Sequence, residues 1–203
     1  CAQELGSIGG PAALAALREG TAAKHPKIRR AAATALGGFL RQKEAFDALK
    51  PLAEKDESYN VEAAALVALG SLRLAEAKPI LESKLKVDSW NEVIRKAALS
   101  GMGRLKDEAL IPTLQDWASQ GHHLFARQAA LGALAEAGEG KEAVRDFIAL
   151  ILETDDDAAV RSSSIYALTV LGDPKASTAL GKIAARDPDP GIRRRASDAI
   201  ENI

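Results

Sequence analysis

Apolar residues recur along this chain at helical spacing. Ile28, Ala31, Ala32, Ala35, Leu36 and Phe39 stand at i, i+3, i+4, i+7, i+8 and i+11, which puts them on one stripe of an α-helix and cannot be a strand face. The stretches between such helices show the same spacing, as in Ala45, Leu49 and Leu52, or in Phe147, Ile148, Ile151 and Leu152. No segment competes with the period of two that a strand requires. The pattern therefore predicts helices alone. Alanines on the packing stripes let neighbouring axes approach toward the lower end of the usual spacing of about 8–10 Å.

The stripes also repeat. Ile28-Arg29-Arg30-Ala31-Ala32 recurs as Val61-Glu62-Ala63-Ala64-Ala65, Ile94-Arg95-Lys96-Ala97-Ala98 and Ala126-Arg127-Gln128-Ala129-Ala130, then as Val160-Arg161-Ser162-Ser163-Ser164 and Ile192-Arg193-Arg194-Arg195-Ala196. The successive offsets are 33, 33, 32, 34 and 32 residues. A period of that length, with two helical stripes inside it, predicts an all-α, right-handed α-solenoid of about six helical hairpins. The expected repeats are 7–40, 41–72, 73–105, 106–138, 139–172 and 173–203, forming one domain over 1–203, with 1–6 as the tail of a truncated preceding repeat.

Punctuation residues fall at the same period. Gly37, Gly70, Gly103 and Gly172 are expected at or near the ends of second helices, where a left-handed cap favours glycine. Asp107 and Asp173 are placed to cap the first helices that follow, and Asp189-Pro190 repeats a cap-then-proline start. Ser89 followed by Glu92 has the spacing of a capping box. Pro51, Pro79 and Pro112 fall inside predicted first helices, where a missing N–H should bend them.

The chain has 203 residues, of which 47% are hydrophobic but only 4% aromatic. The core must be aliphatic. A formal charge of −1 gives no bulk attraction for nucleic acid or an anionic membrane, so neither is expected as a partner. No uncharged stretch approaches the roughly 20 residues of a membrane span. The single cysteine, Cys1, permits no internal disulfide and suits a reducing, cytoplasmic setting.

With a turn aspartate, then Val/Ile-Arg-x-x-Ala-Ala and a Leu-Gly ending, the chain resembles the HEAT-repeat family. Asp88 with Arg95, Asp155 with Arg161 and Asp187 with Arg193 carry the motif most clearly, while Glu62 replaces the arginine in the second copy and the fourth lacks the turn aspartate. The resemblance spans essentially all residues and implies a fold, not an activity. Within it, Tyr59-Asn60-Val61-Glu62-Ala63-Ala64-Ala65-Leu66 and Asp88-Ser89-Trp90-Asn91-Glu92-Val93-Ile94-Arg95 resemble the C-terminal repeat region of bacterial zinc aminopeptidases of the aminopeptidase-N type. The closing Ile192-Arg193-Arg194-Arg195-Ala196 is similar to the end of those chains. That resemblance implies a catalytic zinc domain upstream of these residues.

Candidate chemistry within the chain is thin. The H-E-x-x-H signature is absent, and His122 and His123 are adjacent, so they cannot share a helix face. Gly101-Met102-Gly103 lacks the third glycine and the strand of a dinucleotide loop, and Gly138-Glu139-Gly140-Lys141 lacks Walker spacing. Asp155-Asp156-Asp157 lacks the spaced ligands of a calcium loop. No catalytic residue, metal site or cofactor is expected.

Two features remain. Arg29, Glu62, Arg95, Arg127, Arg161 and Arg193 occupy one position in successive repeats. A basic stripe for phosphate or an acidic partner is one role; a structural ladder onto turn carboxylates is the other, and Glu62 and the acidic turns favour it. Tyr59, Trp90, His122, His123, Leu124 and Phe125 align on the turns between first and second helices, where Trp90 and Phe125 could also serve local packing. A contact ridge there requires Trp90 and His123 to be exposed. Three function classes follow: a non-catalytic structural and interaction domain of a zinc aminopeptidase-like protein, a free-standing protein-binding scaffold, or a repeat enzyme like the bilin lyases. The partner expected in the first two is a protein.

Overall fold

The computed structural model describes residues 2–203 and is helical throughout, with no strand among the described residues. Its helices are α1 (Ala2–Ile8), α2 (Gly10–Thr21), α3 (Pro26–Leu36), α4 (Lys43–Glu54), α5 (Tyr59–Ser71), α6 (Ala77–Lys84), α7 (Val93–Leu105), α8 (Ile111–Ala118), α9 (Leu124–Ala137), α10 (Glu142–Thr154), α11 (Ala158–Leu171), α12 (Ser177–Arg186) and α13 (Pro190–Ile200). They form two compact units, Cys1–Asp107 and Glu108–Ile203.

In the first unit α2 packs on α3, α4 on α5 and α6 on α7, while α1, α3, α5 and α7 pack in succession as one layer. The second unit repeats the plan, with α8 on α9, α10 on α11, α12 on α13, and α9, α11 and α13 in succession. This is the α-solenoid plan: a first helix and a second helix per hairpin, each kind stacked on its own kind. The core is aliphatic and lies between the two layers. Leu36, Leu49, Leu66, Leu69, Leu81 and Leu99 are fully enclosed in the first unit, and Leu114, Leu131, Leu134, Ile148 and Leu168 in the second.

Glycine plays two roles that the period alone confuses. The residues that turn the chain left-handed after second helices are Arg41 (φ 58°), Arg73 (φ 54°), Lys106 (φ 55°), Gly140 (φ 72°) and Gly172 (φ 63°). Of the four glycines expected as caps, Gly172 alone takes this conformation. Gly70 and Gly103 lie inside α5 and α7, and Gly37 follows α3 with a right-handed φ of −60°. Gly70 is there for close approach: a Cβ built on it would lie 2.6 Å from the Cα and carbonyl carbon of Gly101. A Cβ on Gly101 would in turn stand 2.7 Å from the Leu66 carbonyl oxygen. The two backbones touch, which is why α5 and α7 tolerate glycine in mid-helix despite its cost of about 1 kcal/mol relative to alanine.

Other local expectations change for equally specific reasons. Ile28 is 53% exposed, whereas its counterparts Val61, Ile94 and Val160 are buried. Short α1 sets Gly6 against Ala35, near the far end of α3, and leaves the first turn of α3 uncovered. Ala31 is exposed and Ala33 buried in its place, and Phe39 is buried from the turn beyond the helix. Pro79 and Pro112 occupy the first turns of α6 and α8, where an N–H has no intrahelical acceptor, so both start helices instead of bending them. Only Pro51 is interior. Asp173 and Asp189 do cap, accepting from the N–H groups of Lys175 (3.0 Å) and Gly191 (2.7 Å). Asp107 pairs with Lys78 at 3.3 Å. The readings that involve Cys1 lie outside the described residues.

Two substitutions check this packing. Leu134→Ala, in the middle of α9, is expected to cost about 2–5 kcal/mol in urea unfolding. Gly70→Ala, which in an open helix would stabilise, is expected instead to destabilise by about 1–3 kcal/mol, because α5 and α7 must separate to admit the methyl group.

Candidate functional site

The connectors between first and second helices run along one edge of each unit, and the sequence-aligned residues of interest lie on it or one turn inside. Each second helix begins at an aligned N-cap. Asp157 and Asp189 accept from the N–H two residues on through a carboxylate oxygen, each at 2.7 Å. His25 and His123 do the same through Nδ1, each at 3.2 Å, from Lys27 and Phe125. A histidine thus stands in for an aspartate, a role for His25 and His123 that residue type alone did not suggest.

The third hairpin departs from this plan. Asn91 (φ 51°) and Glu92 (φ 59°) are both left-handed, so no capping box forms. The Ser89 hydroxyl instead accepts from the Ile94 N–H at 3.0 Å, and the Glu92 carboxylate binds Arg95. The connector therefore leaves Trp90 outside the helix pair.

One turn into the second helices lies the arginine column. Arg29 donates from Nη1 to the Ala23 and Lys24 carbonyls, and from Nε and Nη2 to both oxygens of Asp56 at 2.9 and 2.8 Å. Arg161 does likewise, from Nη1 to the carbonyls of Asp155 and Asp156, and from Nε and Nη2 to Asp187 at 2.8 and 3.0 Å. Arg127 donates to the Ala118 carbonyl at 3.1 Å and binds Asp155. Each guanidinium thus ties its own connector, through carbonyls, to the next hairpin's connector, through a carboxylate. The receiving aspartate also shapes its own turn, accepting from the N–H of Ser58, Asp157 or Asp189 at 2.8 to 3.0 Å.

The exceptions are informative. Glu62 inverts the charge, and its partner is the buried ammonium of Lys84 at 2.6 Å, which also donates to the Glu54 carbonyl at 2.5 Å. Arg95 turns to its own connector, binding Asp88, Glu92 and the Leu85 carbonyl. Arg193 reaches the Asp187 and Pro188 carbonyls and has no carboxylate partner among the described residues. Arg145, on a first helix, forms a further tie to Asp173 at 2.6 Å. Lys84 and Arg145 were not singled out in the sequence, although an acid in an arginine column signals a missing cation nearby.

These contacts set the acid chemistry. Hydrogen bonds from Arg29 hold the Asp56 carboxyl below its ordinary range, against an opposing burial effect. Burial pushes Asp187 up, but Arg161 and the Asp189 N–H outweigh it, and the net direction is again downward. The same pairs raise Arg29 and Arg161.

The ring residues sit outside this network. Trp90 is 76% exposed and Tyr59 55%, both on the first unit. On the second unit His123 and Phe125 are exposed, while His122 and Leu124 are half-buried. His122 stacks on Trp117, with ring centroids 4.1 Å apart, and lies 3.4 Å from the Asp116 carboxylate. No group of three His, Cys, Asp or Glu residues gathers to hold a metal ion among the described residues. No described helix is long and apolar enough to cross a membrane.

Arg161→Ala is expected to cost about 3–5 kcal/mol, because it leaves the Asp187 carboxylate buried and unpaired. Arg193→Ala, with no such partner, should cost less than about 1 kcal/mol. The lowered Asp56 and Asp187 carboxyls stabilise the fold fully above the unfolded aspartate value of about 4, and lose that contribution as pH falls through their folded values. Urea midpoints measured from pH 6 downward, at about one-unit steps, should therefore fall below about pH 4, and Asp187→Asn should flatten that fall.

None of the curated proteins matches the chain. Among solved structures it is similar to a chain of the CpcE–CpcF complex of phycocyanin lyase from Nostoc sp. PCC7120, with 24% identity and a TM-score of 0.62 over 94% of this chain and 77% of that one. A HEAT-like repeats protein from the archaeon Thermococcus onnurineus shows 17% identity and a TM-score of 0.51 over 98% of this chain and 91% of its own. At these identities the likeness is one of fold. The family of HEAT repeats matches residues 19–94, 87–168 and 126–201. Those matches cover most of the hairpins and include the arginine and aspartate positions of the ladder, and the chain belongs to the HEAT-repeat family.

Proposed function

We propose that this chain is a non-catalytic helical-repeat domain that docks protein surfaces through the connector edge of its first unit. The observation that carries this reading is the Trp90 connector. Two consecutive left-handed residues, neither of them glycine, hold an indole at 76% exposure in a chain with only two tryptophans. Left-handed backbone at non-glycine residues is costly, and such strain concentrates where a function uses it. An exposed tryptophan is also the side chain most enriched among the dominant contributors to protein interfaces. Arginine, the other such residue type, is largely taken up in the ladder. The chemistry that remains suits contact more than catalysis.

The parent protein we assign to this domain is a zinc aminopeptidase-like protein, on the wording of residues 59–66 and 88–95. In that setting the repeats form an accessory domain, and the zinc and its ligands belong to the catalytic part. The coding sequence upstream of Cys1 tests the parentage directly, through the presence or absence of an H-E-x-x-H segment.

Two measurements on the purified chain test the function. It is expected to retain no stoichiometric zinc and to hydrolyse no aminoacyl substrate; one tightly held zinc per chain overturns the non-catalytic reading. Trp90→Ala is expected to move the melting midpoint by less than about 3 °C, since truncating an exposed side chain typically changes stability by about 0.5 kcal/mol or less. A large loss of stability would make Trp90 a folding residue and remove the docking edge.

A further inference from the structure

The connector edge has opposite charge on the two units. On the first unit Lys24, Lys27, Lys55 and Lys86 are exposed. None of the four has an ion pair among the described residues. The acids nearest them in the chain are mostly engaged: Asp56 with Arg29, and Asp88 and Glu92 with Arg95. Glu57 is the exposed exception. These lysines flank Tyr59 and Trp90 in the same connectors.

On the second unit the aligned connectors are acidic. Asp155 and Asp187 are taken up by Arg127 and Arg161, but Asp156 and Asp157 are exposed. Between these two connectors opens a cleft of about 430 Å³, with Ile183 and Pro188 among its apolar walls and Asp156 at its rim. An indole with lysines beside it meets, in that cleft, an apolar slot with carboxylates beside it.

From this complementarity we infer that the first unit's connector edge docks on the second unit's connector edge of another copy of this chain. Trp90 enters the cleft beside Ile183 and Pro188, and Lys55 and Lys86 face Asp156 and Asp157. The inference rests on the reading of the Trp90 edge as a docking surface and names its partner. Nucleic acid fits the same edge less well. The guanidinium groups best suited to phosphate are bound in the ladder, and Glu57 and Asp88 stand among the lysines. Opposite charges at a contact rim chiefly direct partner choice and make association salt-dependent, while the enclosed aromatic supplies most of the affinity.

Sedimentation velocity over a concentration series tests this with the whole chain. Self-association is expected at about 50 mM salt and should weaken at about 500 mM, where screening is several times stronger. Trp90→Ala should weaken it about tenfold or more. The double variant Lys55→Glu/Lys86→Glu and the single variant Asp156→Lys should each be monomeric alone, because like charges then face each other. An equimolar mixture of the two should associate again, since the exchanged signs are complementary. A chain that stays monomeric at every concentration in low salt overturns the inference, as does self-association indifferent to all three variants. In either case, if Trp90→Ala melts like the parent chain, the docking-edge reading stands. If that variant loses its fold, the docking-edge reading falls, while the two charge variants still decide whether copies pair through these edges.

Discussion

A hairpin of two helices, each about three turns long, has no interior. Its apolar stripes can leave water only against another hairpin, so every repeat in this chain depends on its neighbours for its core. The architecture follows from that dependence. Stripes of alanine and leucine face both along the stack and across it, and the buried leucines sit between the layer of first helices and the layer of second helices. The scarcity of rings is part of the same solution, because small side chains bring helix axes close enough to exclude water without large groups to fill gaps. At Gly70 and Gly101 this reaches its limit, with backbone meeting backbone.

Apolar stacking is weakly directional, and the polar network supplies what it lacks. The Arg29–Asp56, Arg127–Asp155 and Arg161–Asp187 pairs each fix the angle and register between consecutive connectors. The planar guanidinium matters here. One side grips carbonyls of its own turn and the other a carboxylate of the next, which an ammonium could not do in the same geometry. Where the column carries Glu62 the ion pair survives by exchange of roles, with Lys84 rising from the following first helix. Such pairs are stabilising relative to a broken pair, not relative to a well-packed apolar alternative. Their contribution is to specify one stacking among several.

Function then falls to what the stacking leaves outside. Arginine, the residue type that most often recognises phosphate or carboxylate, is largely consumed inside the protein. Tyr59, Trp90 and the lysines of the first unit, and Asp156 and Asp157 of the second, remain on the connectors. A repeat protein of this kind separates stability from recognition by position: helices and ladder hold the stack, and connectors face the partner.

The sequence by itself determined the helices, their period and the aligned arginine column, because each depends on spacing within a few turns of one chain. The stripe from Ala32 to Leu36 is legible for that reason. Tertiary structure decided everything that depends on what lies across a gap. Gly70 and Gly172 look alike in sequence, yet one admits a neighbouring backbone and the other a left-handed turn, and only the path of the next helix separates them. Ile28 carries the same pattern as Ile94, but burial requires a neighbour, and short α1 ends the cover too soon. Arg161 was legible as a ladder residue, whereas its choice of Asp187 over the carboxylate of Asp155 in its own turn was not. Trp90 was recognisable as a candidate, but its exposure follows from the left-handed pair beside it, which no residue type at positions 91 and 92 announces. Local spacing is written along the chain; contact is decided by which surfaces meet once the hairpins stack.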